Sequence, residues 1–145
     1  MLEIMEEKLL LKELWALESL SLIVAAWPLI LLCRSESTLE VRDQVGSPTS
    51  TKELAGAIAH LLFTENYGLF HATCEGSCSW ADFSREIFRL AGKPTEVVGI
   101  TTEEFGAKAP RPAYSILENY MLKLTTDYRF ADWHDAIALY MKELL

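Results

Sequence analysis

Glycine is scarce, and what there is never clusters. The seven glycines of this 145-residue chain stand at positions 46, 56, 68, 76, 92, 99 and 106. None falls at the spacing of a G-x-G-x-x-G turn or of a P-loop, the arrangements that let backbone approach a pyrophosphate at a helix N-terminus. Cysteine is rarer still. Cys33, Cys74 and Cys78 are too few and too unevenly spaced for a disulfide framework, so a reducing, cytosolic setting is expected. Cys74 and Cys78 with His71 match no common zinc spacing and have no fourth ligand nearby, and no metal is expected. Positive charge is also in deficit: 13 Lys and Arg against 21 Asp and Glu leave a net charge of −8. That field repels a nucleic acid, and an anionic ligand would need a local pocket. Residues 21–33 (SLIVAAWPLILLC) form the most apolar run. The run is shorter than the ~20 residues of a membrane span, and Pro28 interrupts it, so buried strands are the better reading. The long, mixed-charge segment before it, with no small-residue cleavage site after it, argues against a signal peptide.

Catalytic pairings are missing as well. Carbonyl reduction of the short-chain type uses a tyrosine acid with a lysine one helical turn on, whose charge lowers the phenol's pKa. Tyr120 and Lys123 are three apart rather than four, with no serine or threonine placed to help, and read as surface and core of one helix. There is no nucleophile elbow and no paired-carboxylate signature. No catalytic and no cofactor-binding residue is therefore assigned.

Half the residues are apolar and about a quarter charged, a globular composition at a length suited to one core. The segment 1–38 carries loose signals: an amphipathic helix over 2–17, the apolar run, then a polar patch at 34–37. From Leu39 onward the punctuation is clear. Residues 39–42 read as a strand and 43–49 as a loop. Ser50 and Glu53 sit at capping-box spacing ahead of a helix over 51–63, with Leu54, Ile58, Leu61 and Leu62 on one face. Gly68 opens a strand over 69–73 that turns through Glu75, Gly76 and Ser77. Ser79 caps a helix whose Trp80, Phe83, Ile87 and Leu90 recur at core-facing spacing until Gly92, Lys93 and Pro94 end it. A third strand over 97–100 leads into a helical turn at 103–105, and Pro110 and Pro112 force an extended crossing. A helix over 117–124 follows. Asp132 caps the last one, with Trp133, Ile137, Tyr140, Met141 and Leu144 on one stripe. Helices alternating with short strands imply an α/β fold.

One surface suits a ligand. The flanking prolines hold Arg111 on extended backbone, where its guanidinium suits either a diphosphate gripped in forked geometry or a local carboxylate. Gln44, Ser47 and Thr49 offer hydrogen bonds to a sugar or base, although helix capping accounts equally well for Thr49 or Ser50. His71 reads as a hydrogen-bonded core residue, and Trp80 as core rather than a stacking platform.

These residues together resemble a known family. Asp43-Gln44-Val45-Gly46-Ser47-Pro48-Thr49 is similar to the DQxGSPT signature of the dTDP-4-dehydrorhamnose reductases. Gly68-Leu69-Phe70-His71, Gly76 and Ser79-Trp80-Ala81-Asp82-Phe83 resemble the family's strand-turn-helix pattern. Ile100 to Phe105, Arg111-Pro112 with Ser115 and Leu117, and Trp133 with Ala136, Tyr140 and Leu144 continue it in order.

The resemblance implies the C-terminal portion of an extended short-chain dehydrogenase/reductase: the last strands of the parallel sheet plus a small mixed α/β substrate domain. By the same resemblance, the dinucleotide-binding N-terminal part is expected to be missing. Residues 39–145 would bind the dTDP-sugar, while 1–38 form a divergent segment in which LIVAAW at 22–27 only faintly matches the family strand. Gln44, Ser47, Thr49 and Arg111 would face dTDP-4-dehydrorhamnose. The full-length family enzyme reduces its 4-keto group with NADPH, or NADH, in dTDP-rhamnose biosynthesis; a chain without the glycine turn and the tyrosine-lysine pair would bind without turnover. A second expectation is a non-catalytic regulatory module of the same fold, like the regulatory subunit of methionine adenosyltransferase. A third is association with a polypeptide supplying the missing half, or with further copies of itself. No nucleic acid or membrane is expected as a partner.

Overall fold

The computed structural model describes residues 36–106 and 109–144. The helix expected over 2–17, the apolar run at 21–33 and Cys33 lie outside the described residues. Strand β1 (Ser37–Val41) pairs in parallel with β4 (Glu96–Ile100), Leu39 opposite Val98 and Val41 opposite Ile100. Between them in sequence come β2 (Val45–Gly46), α1 (Thr51–Leu62), β3 (Cys78–Ser79) and α2 (Trp80–Leu90). After β4 follow α3 (Thr102–Phe105), α4 (Tyr120–Thr125) and α5 (Trp133–Leu144). A parallel pair needs a crossover, and α2 lies over one face of it as such a unit requires. The mixed α/β class and the parallel sheet are as expected.

The cap residues explain where helices begin. Ser79 accepts from the Asp82 N–H at 3.1 Å, and Asp82 reaches back to the Ser79 N–H and hydroxyl, a reciprocal box. Thr101 and Glu104 do the same for α3. On α1 only half of the expected box forms. Ser50 accepts from the Glu53 N–H, but the Glu53 carboxylate accepts instead from Ala131 N–H at 3.1 Å, tying α1 to the segment that leads into α5. Asp132 starts α5, its Oδ1 accepting from the His134 N–H.

Three expectations are corrected. Residues 69–73 form no strand, because the Thr73 backbone bonds a side chain rather than a neighbouring strand. Asn119 Oδ1 accepts from Thr73 N–H at 3.0 Å, and Asn119 Nδ2 donates to Thr73 O at 2.7 Å. The helix expected over 117–124 starts only at Tyr120, since the Asn119 side chain is spent on Thr73 and gives α4 no capping bond. Of the apolar stripe expected on α1, only Leu61 packs against the core: Leu54, Ile58 (57%) and Leu62 (73%) are exposed, and Ala57 is the buried residue. Small residues face inward there because Tyr128 crowds the helix. Its hydroxyl donates to Glu53 O at 3.1 Å, and a Cβ on Gly56 would stand 2.7 Å from the Tyr128 hydroxyl oxygen.

The core gathers α2, α4 and α5 around Ile87, Leu122, Met141, Ile137, Phe130 and Trp133, with Cys74 and Ala57 completing it. The buried face of α2 is Ala81, Ser84, Ile87 and Phe88; of the expected stripe, Ile87 is in the core and Phe83 and Leu90 pack against it, while Trp80 is exposed. His71 is exposed rather than core. On α5 the buried Tyr140 hydroxyl has no hydrogen-bond partner among the described residues. A buried, unsatisfied hydroxyl costs free energy that phenylalanine would not. Tyr140→Phe is therefore expected to leave stability unchanged or raise it by about 1 kcal/mol in urea denaturation; a loss of that size would mean that the hydroxyl is bonded in solution.

Candidate nucleotide-sugar site

The short strands place the site. β2 and β3 run antiparallel, Val45 opposite Ser79 and Gly46 opposite Cys78. On the other side of β2, Val45 N–H donates to Ala113 O and Val45 O accepts from Ser115 N–H, both at 2.9 Å. Three chain segments thus meet around Val45: the loop before α1, the start of α2 and the proline-flanked crossing. Between them opens a cleft of 340 Å³ lined by residues 44–48 and 78–80 with Arg111, Pro112 and Ser115.

Of the expected binding residues, Gln44, Ser47 and Arg111 come together in this cleft. Gln44 is 8% exposed and its Nε2 donates to Thr102 Oγ1 at 3.0 Å. Ser47 donates to Gly76 O at 2.9 Å, fastening the rim to the 75–77 turn. Arg111 is exposed and forms no ion pair with any described residue, so the carboxylate partner that its sequence context allowed is not there. Thr49 stands outside the lining. Its hydroxyl donates to Ser47 O at 3.1 Å and accepts from Cys74 N–H at 3.1 Å, bonds that shape the loop.

The structure adds residues that sequence reasoning passed over. Trp80, read there as core, is 46% exposed at the start of α2 and lines the cleft, and Phe83 meets it edge-on. Its place beside the cap Ser79 was the available signal, because the first residue of a helix rarely faces inward on both sides. Asp43 does not line the cleft. Its carboxylate accepts from the Thr102 hydroxyl at 2.7 Å and from the Thr102 N–H at 2.9 and 3.0 Å. These bonds, the hydroxyl's foremost, hold Asp43 below the usual carboxylate range. Burial pushes the Cys78 thiol up to about 12, and raises Cys74 too, so neither is a thiolate nucleophile at neutral pH. Among the described residues no cluster of His, Cys, Asp and Glu is arranged to hold a metal. Tyr120 is on the surface, and Lys123 pairs with Glu75 and Glu118, both at 2.9 Å.

Residues 28–145 match the family model of the RmlD substrate binding domain. The chain belongs to that family. It is similar to the spore coat polysaccharide biosynthesis protein SpsK of Bacillus subtilis, with 41% identity over 71% of this chain and 36% of that protein. It is also similar to the dTDP-4-dehydrorhamnose reductase of Burkholderia thailandensis, with 31% identity over 72% of this chain and 41% of that protein. Among solved structures, the dTDP-4-dehydrorhamnose reductase of Clostridium acetobutylicum superposes with a TM-score of 0.80 at 44% identity. That match covers 83% of this chain and 43% of the reductase. The Bacillus anthracis dTDP-4-dehydrorhamnose reductase in complex with NADP gives 0.78 at 34% identity, over 83% and 42%. The RmlD chain described here thus spans about two fifths of the length of these relatives. No described helix is long and apolar enough to cross a membrane.

Proposed function

We propose that this RmlD chain holds a dTDP-sugar, dTDP-4-dehydrorhamnose by analogy with its reductase relatives, as the substrate-binding part of a dTDP-rhamnose biosynthesis reductase. The observation that carries this reading is Arg111: an exposed guanidinium with no carboxylate partner among the described residues, lining a cleft together with Gln44 to Pro48 of the signature-like loop. A diphosphate supplies the anion that Arg111 lacks, in the forked geometry a guanidinium favours. Gln44 and Ser47 then face the sugar or base. Thr49 contributes through the loop conformation. The binding unit is residues 39–145, and the free thiols of Cys74 and Cys78 suit a cytosolic setting.

The NADP held by the Bacillus anthracis reductase does not fit the residues described here. Side chains already cap the starts of α1 and α2, and the α2 cap places the Asp82 carboxylate where a pyrophosphate would need bare N–H groups. Turnover therefore calls for a dinucleotide-binding α/β unit outside the described residues. Support for such a partner lies on the sheet: Leu39 and Val98, paired in register on the face away from α2, are 59% and 39% exposed. Thermal shift separates the possibilities. A dTDP-sugar should raise the melting temperature and NADPH should not, and turnover should appear only on mixing with the dinucleotide-binding unit. Stabilisation by NADPH alone would refute the reading.

Arg111→Ala should weaken dTDP binding about 10- to 100-fold, with little change in melting temperature. The wild-type affinity should also fall with rising salt, and the variant's should fall less. Equal affinities for the two proteins would remove Arg111 from the site.

A further inference from the structure

The orientation of Gln44 is dictated by neighbours outside the cleft. Asp43 is an ionised carboxylate and can only accept hydrogen bonds. The single hydroxyl proton of Thr102, 2.7 Å from Asp43 Oδ1, must therefore point at Asp43. That leaves Thr102 Oγ1 as an acceptor toward Gln44, 3.0 Å away, so the glutamine presents its NH2 group there. The amide cannot turn over without setting its carbonyl against the oxygen lone pairs of Thr102. Its Oε1 is consequently directed away from Thr102, and it has no hydrogen-bond partner among the described residues. Gln44 is 8% exposed and lines the cleft, and its Oε1 is not fully buried, so it is an acceptor still open to solvent, where a ligand's N–H can take the place of water.

The surroundings indicate what donates. Continuing the β2–β3 register one step beyond Val45 opposite Ser79 sets Gln44 across from Trp80, the exposed aromatic of the cleft. An aromatic platform beside a fixed acceptor suits a flat base with an N–H on its edge. A sugar hydroxyl both donates and accepts, so either amide orientation would satisfy it and a relay fixing one would gain nothing. We infer that Asp43 and Thr102 are positioning residues that commit Gln44 to accept from the imide N–H of a keto pyrimidine, thymine or uracil, lying against Trp80. The inference rests on the nucleotide-sugar reading of the same cleft. Cytosine carries a bare acceptor nitrogen at the equivalent position and would oppose Gln44 Oε1.

Calorimetric affinities for dTDP, UDP and CDP test this on the wild type and on Thr102→Val and Thr102→Ser. Valine keeps the shape and the backbone N–H to Asp43 but frees the amide to turn; serine restores the hydroxyl. The wild type should favour dTDP and UDP over CDP by about tenfold or more. Thr102→Val should bring that ratio to within about twofold of unity, and Thr102→Ser should recover it. A ratio of affinities measured on one sample does not depend on how much of it is folded. A preference retained in Thr102→Val, or no preference in the wild type, would overturn the inference while leaving the nucleotide site standing. So would a Thr102→Val defect confined to dTDP-sugars with the dTDP to CDP ratio unchanged. A folded wild type that binds none of the nucleotides would remove the site reading and the inference together.

Discussion

Gly76→Ala is expected to lower the free energy of unfolding by about 3 kcal/mol. Gly76 has φ of +80°, a conformation an L side chain adopts only under strain. The added Cβ would also lie 2.8 Å from Asp132 Oδ2 and 2.9 Å from Trp133 Cδ1. The carboxylate can rotate away, but the indole cannot. Trp133 is 4% exposed within the core cluster and stacks on His134, so relief at Gly76 means moving the start of α5. Urea denaturation measures the loss, and an unchanged midpoint would show that the turn yields without disturbing Trp133. The effect should reach the cleft, because Ser47 donates to Gly76 O.

Asn119→Ala is expected to cost a comparable amount, about 3 kcal/mol. Asn119 is 3% exposed and uses both ends of its amide: Thr73 N–H, Thr73 O and the Glu75 carboxylate at 3.2 Å. Alanine removes these bonds together with the one that the Thr73 hydroxyl donates to Asn119 Oδ1 at 3.4 Å, and leaves partly buried backbone groups without partners. Asn119→Asp is the informative control. It keeps an acceptor for Thr73 N–H but loses the donor and sets a second carboxylate beside Glu75. Both variants should show reduced urea midpoints, and both should weaken dTDP binding, since residues 73–75 carry Gly76 and through it the Ser47 rim. Wild-type stability in either variant would mean that other bonds hold this segment.

Asn119 also marks where the sequence stops being legible. Strands and helices follow from periodicity and caps, and Ser79 and Asp132 act where their spacing placed them. The segment 69–73 has the composition of a strand, but its pairing partner is a side chain 46 positions away in sequence, which no local pattern reveals. The exposed stripe on α1 misleads for a related reason. Apolar spacing specifies which residues share a face; it does not say that Tyr128 will claim the opposite face through Gly56 and Ala57. At the site, the DQxGSPT loop and Arg111 were visible as motifs. Trp80 was hidden by its fit to the helical period, and the Asp43–Thr102–Gln44 relay by a separation of nearly sixty residues between its two halves.

The central claim is that the RmlD cleft itself binds the nucleotide part of a dTDP-sugar. Backbone amide NMR of the labelled chain titrated with dTDP tests this most directly. Saturable shift changes are expected at residues 44–48, at Ser79 and Trp80, and around Arg111 and Ser115, with α1 and the C-terminal half of α5 unaffected. Shifts centred on any other surface, or a well-folded chain whose spectrum dTDP leaves unchanged, would contradict it.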